Sequence, residues 1–288
     1  MWEIVTAPLQ LQFMQRALIM GLLSGGLCPL VGAFLVVQRM ALLADVMAHA
    51  VLPGVAVSYA LGIDALWGAL ASGLLSTTVI HWLQHQTRIK VDGAMAFTFA
   101  SFFALGILLI SWLRPTQDLE HLLFGNLLSV TGQDILKTLV VAIVIGILIG
   151  RFYQPLLFFT FDPVGAQALG LPVSWLHRGL LVGVTLTIIV SMQAVGVILV
   201  MALMVGPALV GYVLANDLRG MIVIGAGVGM LSSTVGIYSS YYLNLPPGPL
   251  IVLANTVLLV LAVLGQRWRW RKMEKDKTTH TPCNASPP

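Results

Sequence analysis

Charge is what this sequence has least of. Fifteen basic and eleven acidic side chains make up 9% of its 288 residues, where soluble domains carry roughly a quarter. So few charges cannot cover the surface of one or two soluble domains. That excludes an ordinary cytosolic enzyme and a nucleic-acid binder. The net charge of +4 is spread along the chain and gathered at its C-terminal tail, not collected into a patch. Cysteine is nearly absent as well. Cys28 lies in the first apolar run and Cys283 in the polar tail, so neither a disulfide framework nor a thiolate metal site is available. The chain lacks a G-x-x-x-x-G-K-[ST] phosphate loop, so it does not bind ATP in that way. It also lacks H-E-x-x-H, G-x-S-x-G and paired intramembrane aspartates, so nothing supplies a nucleophile with its base. At the N-terminus an acid, Glu3, precedes any base and no small-residue cleavage site follows, which is not the pattern of a removable signal peptide.

What is present is apolar sequence, 58% of the chain. A helix needs about 20 such residues to cross a hydrocarbon core of roughly 30 Å. On that rule the expected fold is an all-α polytopic membrane protein of eight or nine spans. They are read near 17–37, 42–61, 65–84, 93–113, 134–151, 179–200, 202–215, 220–241 and 249–265. The ninth depends on whether 179–215 turns back, and Gly206-Pro207 is the expected place for a break because proline removes a backbone donor. Residues 1–265 form the permeating domain on this reading, and 266–288 a disordered cytoplasmic tail opening on QRWRWRK.

Basic residues set the orientation. With the N-terminus outside and nine crossings, Arg39, Arg88, Lys90, Arg151, Arg178, Arg219 and the six bases from Arg267 to Lys277 face the cytoplasm. Only Arg16, Arg114 and Lys137 then lie outside, in keeping with the positive-inside bias. Such bases are what an inner-membrane protein needs on its cytoplasmic side, and they imply a cytoplasmic C-terminus.

Ionisable groups inside spans are costly and usually functional. Asp45 and His49, in LLADVMAHAVLPG, are four apart and share one helix face. At about 1.5 Å per residue His49 lies roughly 15 Å along the helix from Arg39, near mid-membrane, and Asp45 roughly 9 Å. Pro53-Gly54 weakens the backbone ladder one turn beyond. A carboxylate and an imidazole suit a divalent ion such as Mn, Fe or Zn. Two ligands are too few for a closed structural site, and that weakness suits a pathway an ion must leave. The plainer alternative is a buried Asp–His hydrogen bond with no cargo.

Other histidines carry less. His81 and His85 sit at a basic helix end and read as a solvated face, and His177, beside Arg178, as interfacial. In the outer loop 114–133, Asp118, Glu120 and His121 fit either docking and metal admission or plain exposure. In the inner loop 152–176, Asp162 can cap a short helix with Pro163 at its first position, ended by Gly170 with Pro172 just beyond. Such a helix suits docking of a soluble partner; the plainer alternative is a loop that happens to contain a helical turn. Small-xxx-small spacings at Gly21/Gly25, Gly146/Gly150 and Gly225/Gly229 permit close helix contact and say nothing of substrate.

These residues resemble a known family. VVQRMALLADVMAHAVLPGVAVSYALG is similar to the signature segment of bacterial ABC permeases for manganese, zinc and iron. DLEHLLFGNLLSV resembles their outer-loop motif and FDPVGAQALGLPV their cytoplasmic coupling segment. SMQAVGVILVMALMVGPALVGYVLAND and LPPGPLIVLANTVLLVLAVL resemble their C-terminal half, so the likeness covers roughly residues 5–265 in order. It implies a homodimeric helical permease, similar in fold to importers of vitamin B12 and siderophores. A separate cytoplasmic ATPase would hydrolyse the ATP, an extracytoplasmic metal-binding protein would deliver the ion, and this subunit would itself be no enzyme and hold no resident cofactor. The family's pathway ligands would fall on Asp45 and His49, and its coupling helix on Asp162, Pro163, Gly165, Ala168 and Gly170. Ala44 stands where the family more often has glycine, which would alter how closely a neighbouring helix approaches. HAVLPG and FGN look more like manganese than zinc permeases, and VQRMALL resembles cyanobacterial manganese permeases. Site chemistry does not separate Mn from Fe or Zn, so the resemblance leaves selectivity to the delivery protein. The rival reading is a secondary transporter driven by an ion gradient, with Asp45–His49 as a proton relay.

Overall fold

The computed structural model describes residues 10–86, 89–113 and 127–279. Every regular element among them is helical. In chain order they are α1 (Gln12–Val37), α2 (Leu42–Ala50), α3 (Leu52–Leu61), α4 (Ala65–Gln86) and α5 (Val91–Leu113). After a single 3-10 turn, Leu127–Ser129, come α6 (Gly132–Arg151), α7 (Tyr153–Phe161) and α8 (Pro163–Ala168). The last four are α9 (Val173–Val195), α10 (Val197–Leu214), α11 (Leu218–Leu243) and α12 (Pro247–Thr279). Taking α2 and α3 as one crossing, nine helical segments among the described residues are long and apolar enough to span a membrane. The all-α polytopic fold expected from the apolar runs is therefore observed.

Helix α1 is the hub. Its apolar residues are buried on nearly every side, as in a helix enclosed by others. Glycines let its neighbours approach. A Cβ at Gly25 would strike the Gly229 carbonyl of α11, and one at Gly32 would strike the Met204 carbonyl of α10. Helices α10, α11 and α12 gather on this side of α1, while α2 to α5 form a second group joined to it mainly through α9. Within the second group a Cβ at Gly54 of α3 would run into the Gly68 carbonyl of α4. Of the small-residue spacings, Gly21/Gly25 and Gly225/Gly229 are used in packing, whereas Gly146 and Gly150 face open space.

The reversal inside 179–215 is present, but not at Gly206-Pro207. It lies at Gly196, whose φ of +89° belongs to a region that side chains with a Cβ rarely adopt. Pro207 instead sits within α10. Asn255 of α12 packs against Gly206, and its amide donates to the Ala202 carbonyl at 3.1 Å, one residue before the Leu203 carbonyl that the proline leaves without a helical N–H. The reversal brings α10 back to the end from which α9 started. Arg219, at the start of α11, lies 4.7 Å above the ring of Tyr153 in α7.

Two further differences concern the connections expected on the cytoplasmic side. The stretch expected as a loop over 152–176 is mostly helix, since α7 fills Tyr153–Phe161 ahead of α8. The expected end of helix at 265 is also absent, because α12 runs on to Thr279. Charged and polar residues there continue a helix that the apolar run began, so a change in composition did not mark its end.

Candidate metal pathway site

The i,i+4 spacing on α2 brings Asp45 and His49 together. His49 Nδ1 lies 3.0 Å from the Asp45 main-chain oxygen and 3.3 Å from its carboxylate Oδ1. A carbonyl oxygen can only accept, so Nδ1 carries the proton and donates. The lone pair is then on Nε2, the atom left for a metal, and the main chain holds the ring in the tautomer a ligand needs. The His49 side chain is 15% exposed and that of Asp45 45%. Asp45 thus opens toward a space while His49 stands behind it.

Helix α5 builds the wall. Phe99 and Phe103 are themselves four apart and stack at 5.7 Å with an interplanar angle of 7°. Both present themselves edge-to-face to the His49 ring, with centroids 5.0 and 5.2 Å away. An imidazole fixed by a carbonyl on one side and two rings on another has little rotational freedom left to lose on binding an ion. Pro53 has no N–H to give the His49 carbonyl, so the ladder is interrupted directly after the pair and α2 passes into α3 at Val51. Ala44 is buried. No cluster of three or more His, Cys, Asp or Glu side chains occurs among the described residues. A metal held by these two side chains alone would be held weakly.

Residues 162–170 have the expected local chemistry. The Gly165 N–H donates to Asp162 Oδ1 at 2.9 Å, Pro163 occupies the first turn, and Gly170 takes a φ of +76°. Val164 and Leu169 are 77% and 70% exposed on this end of the bundle. Ala166 and, on α7, Phe159 are buried beneath them. The segment so presents apolar side chains outward from a fixed base, a shape suited to docking.

Other candidates fall out differently. Asp118, Glu120 and His121 lie outside the described residues, as does the side chain of His85. His81 is exposed, as a solvated face would be, and its ring also lies 6.3 Å from that of His177, on α9. Sequence spacing gave no signal of this, because the two helices meet only in the folded bundle. At the opposite end Lys137 Nζ donates to Asp64 Oδ2 at 2.9 Å, tying the α3–α4 connection to α6. The Leu66 N–H and then the Lys137 ammonium hold the Asp64 carboxyl below its usual value.

The model of the ABC 3 transport family matches residues 10–266. A manganese transport system membrane protein of Listeria monocytogenes, MntC, is 40% identical over 89% of this chain and 91% of its own length. The manganese transport system membrane protein MntB of Synechocystis is 34% identical over 94% of this chain and 91% of its own. Among solved structures, PsaBC from Streptococcus pneumoniae in complex with Fab superposes with a TM-score of 0.83 at 38% identity. That match covers 90% of this chain and 94% of the other.

Proposed function

The chain belongs to the ABC 3 transport family, and from that premise we propose that it is the membrane-spanning subunit of an ATP-driven importer of manganese. Zinc and iron are the other ions its ligand chemistry would accept. The observation that carries this reading is the Asp45–His49 pair, a carboxylate and an imidazole whose Nδ1 lies 3.0 Å from a main-chain oxygen, on one face of a membrane helix. Support for manganese comes from the Listeria and Synechocystis relatives, whose names describe manganese transport.

The ion arrives from the extracytoplasmic side, handed over by a metal-binding protein that docks on the outer surface near Asp118, Glu120 and His121. It meets Asp45, whose open carboxylate exchanges for part of its water shell, and then His49 Nε2. A separate cytoplasmic ATPase grips α8 through Asp162, Pro163, Gly165, Ala168 and Gly170. Two copies of this chain form the pathway, and ATP binding on the partner subunits shifts them between outward and inward states. The N-terminus lies outside and the C-terminus in the cytoplasm of a bacterial inner membrane. No catalytic group of this chain takes part in hydrolysis.

Replacing Asp45 or His49 with alanine should abolish metal accumulation in cells while insertion in the membrane and copurification of the ATPase stay normal. Undiminished uptake by both variants would remove the site. Uptake by this chain alone, in liposomes without ATP, would replace the ATP-driven reading with a gradient-driven one.

A further inference from the structure

A second pair of metal-binding side chains lies at the end of the bundle that carries α8. His81, on α4, and His177, on α9, have ring centroids 6.3 Å apart with an interplanar angle of 38°. Two imidazoles sharing one tetrahedral ion have centroids about 5 Å apart, given metal–nitrogen bonds of about 2.1 Å. A side-chain adjustment of roughly an ångström would close the gap. The rings border a small cavity of about 20 Å³, room for one water or a stripped ion. Gln84 and Thr77 of α4 also line it, with the thioethers of Met40 and Met95. The Thr77 hydroxyl already donates its proton to the Leu74 carbonyl at 2.8 Å, so its oxygen lone pairs are what it can turn inward.

Position on the path gives this cavity its meaning. Leu43 lines it two residues before Asp45, roughly 3 Å along α2. On α5, Met95 lines it one turn before Phe99, which walls His49. An ion leaving the Asp45–His49 pair toward the α8 end therefore meets His81 and His177 next. His177 is also in edge-to-face contact with Phe159 of α7, at 5.9 Å, and α7 continues directly into α8.

We propose that His81 and His177, with Gln84 and Thr77 beside them, form an inner, transient divalent-metal site that receives the ion from Asp45–His49. Phe159 links its geometry to the ATPase-docking segment. Movement of α7 shifts the His177 ring and so opens or closes the pair, timing release with the ATPase cycle. The inference rests on the proposed import function for the ion's direction, but not for the binding itself.

The test uses the full chain in detergent, titrated with Zn²⁺ and with Mn²⁺ alone, bound metal being counted by elemental analysis after gel filtration. A variant lacking Asp45 and His49 should keep one metal per chain, and adding H81Q and H177Q to it should remove that metal. His81 is solvent-exposed, so H81Q alone should leave the fold intact and weaken binding by about tenfold or more. In cells, H81Q should lower the maximal rate of uptake several-fold with little change in KM. Loss of all binding in the variant lacking Asp45 and His49, or wild-type binding and uptake by H81Q with H177Q, would overturn the inner site. If the wild-type chain binds metal at His81 and His177 yet imports none, the transport reading falls and the inner site stands.

Discussion

At the scale of single residues, local spacing was legible and distant pairing was not. Asp45 and His49 could be joined from the sequence because four positions on one helix bring side chains to the same face. His81 was read with its own i,i+4 neighbour, whereas its ring meets His177 from another helix. The Asp64–Lys137 contact, at 2.9 Å between two other elements, was equally hidden. That contact carries a pH prediction. The carboxyl of Asp64 is held below its usual value of 3.8 by the Leu66 N–H and by Lys137. A depressed native value adds stability that is fully present above the unfolded value and is lost as pH falls through the native one. The difference in melting temperature between wild type and D64N should therefore stay constant from pH 7 to about 4 and shrink only below that. A gap that closes between pH 7 and 5 would show that Asp64 is not held in this way.

Helices as units were legible wherever composition changed sharply at their ends. The α8 helix could be delimited because Asp162, Pro163 and Gly170 are residues with one strong local preference each. By contrast α7 was invisible, since YQPLLFFTF is too short to span and holds no cap of its own. A break was expected at Gly206-Pro207 because proline removes a donor, but Pro207 is accommodated inside α10. Gly196 carries the turn instead, and nothing in a run of valines and small residues distinguishes it. The cap of α8 is open to test. Substituting Asp162 with alanine removes the bond to the Gly165 N–H and should cost the helix about 1 kcal/mol. With docking on α8, this should appear as weaker copurification of the ATPase with unchanged amounts of protein in the membrane. Full retention of the ATPase by D162A would argue that α8 does not depend on its cap to dock.

For the whole molecule, the apolar runs gave the all-helical membrane fold, and the bases divided its two ends. Arg151, Arg178 and Arg219 each lie over an aromatic ring, of Phe152, Trp175 and Tyr153, all at the end that carries α7 and α8. Aromatic and basic side chains together suit the headgroup layer of the cytoplasmic leaflet. The native cysteines report the resulting orientation. Cys28 is fully buried, so a membrane-impermeant maleimide should reach only Cys283, and only after cells are opened. The variant Q10C should be labelled in intact cells, and labelling of Cys283 in intact cells would reverse the topology. The Gly196 turn bears on how such a chain is made. Its flanking residues Val195 and Val197 are 1% and 0% exposed, and Cys28 of α1 donates to the Ser191 hydroxyl at 3.6 Å close by. Irregular backbone is tolerated at membrane depth only under cover of protein. Burial of the turn against α1 leads us to expect that α9 and α10 dock together on α1, which is made first. The variant G196V should accordingly fail in biogenesis, detected as degraded or uninserted chains in pulse-labelled membranes, instead of as a slow transporter present in normal amounts.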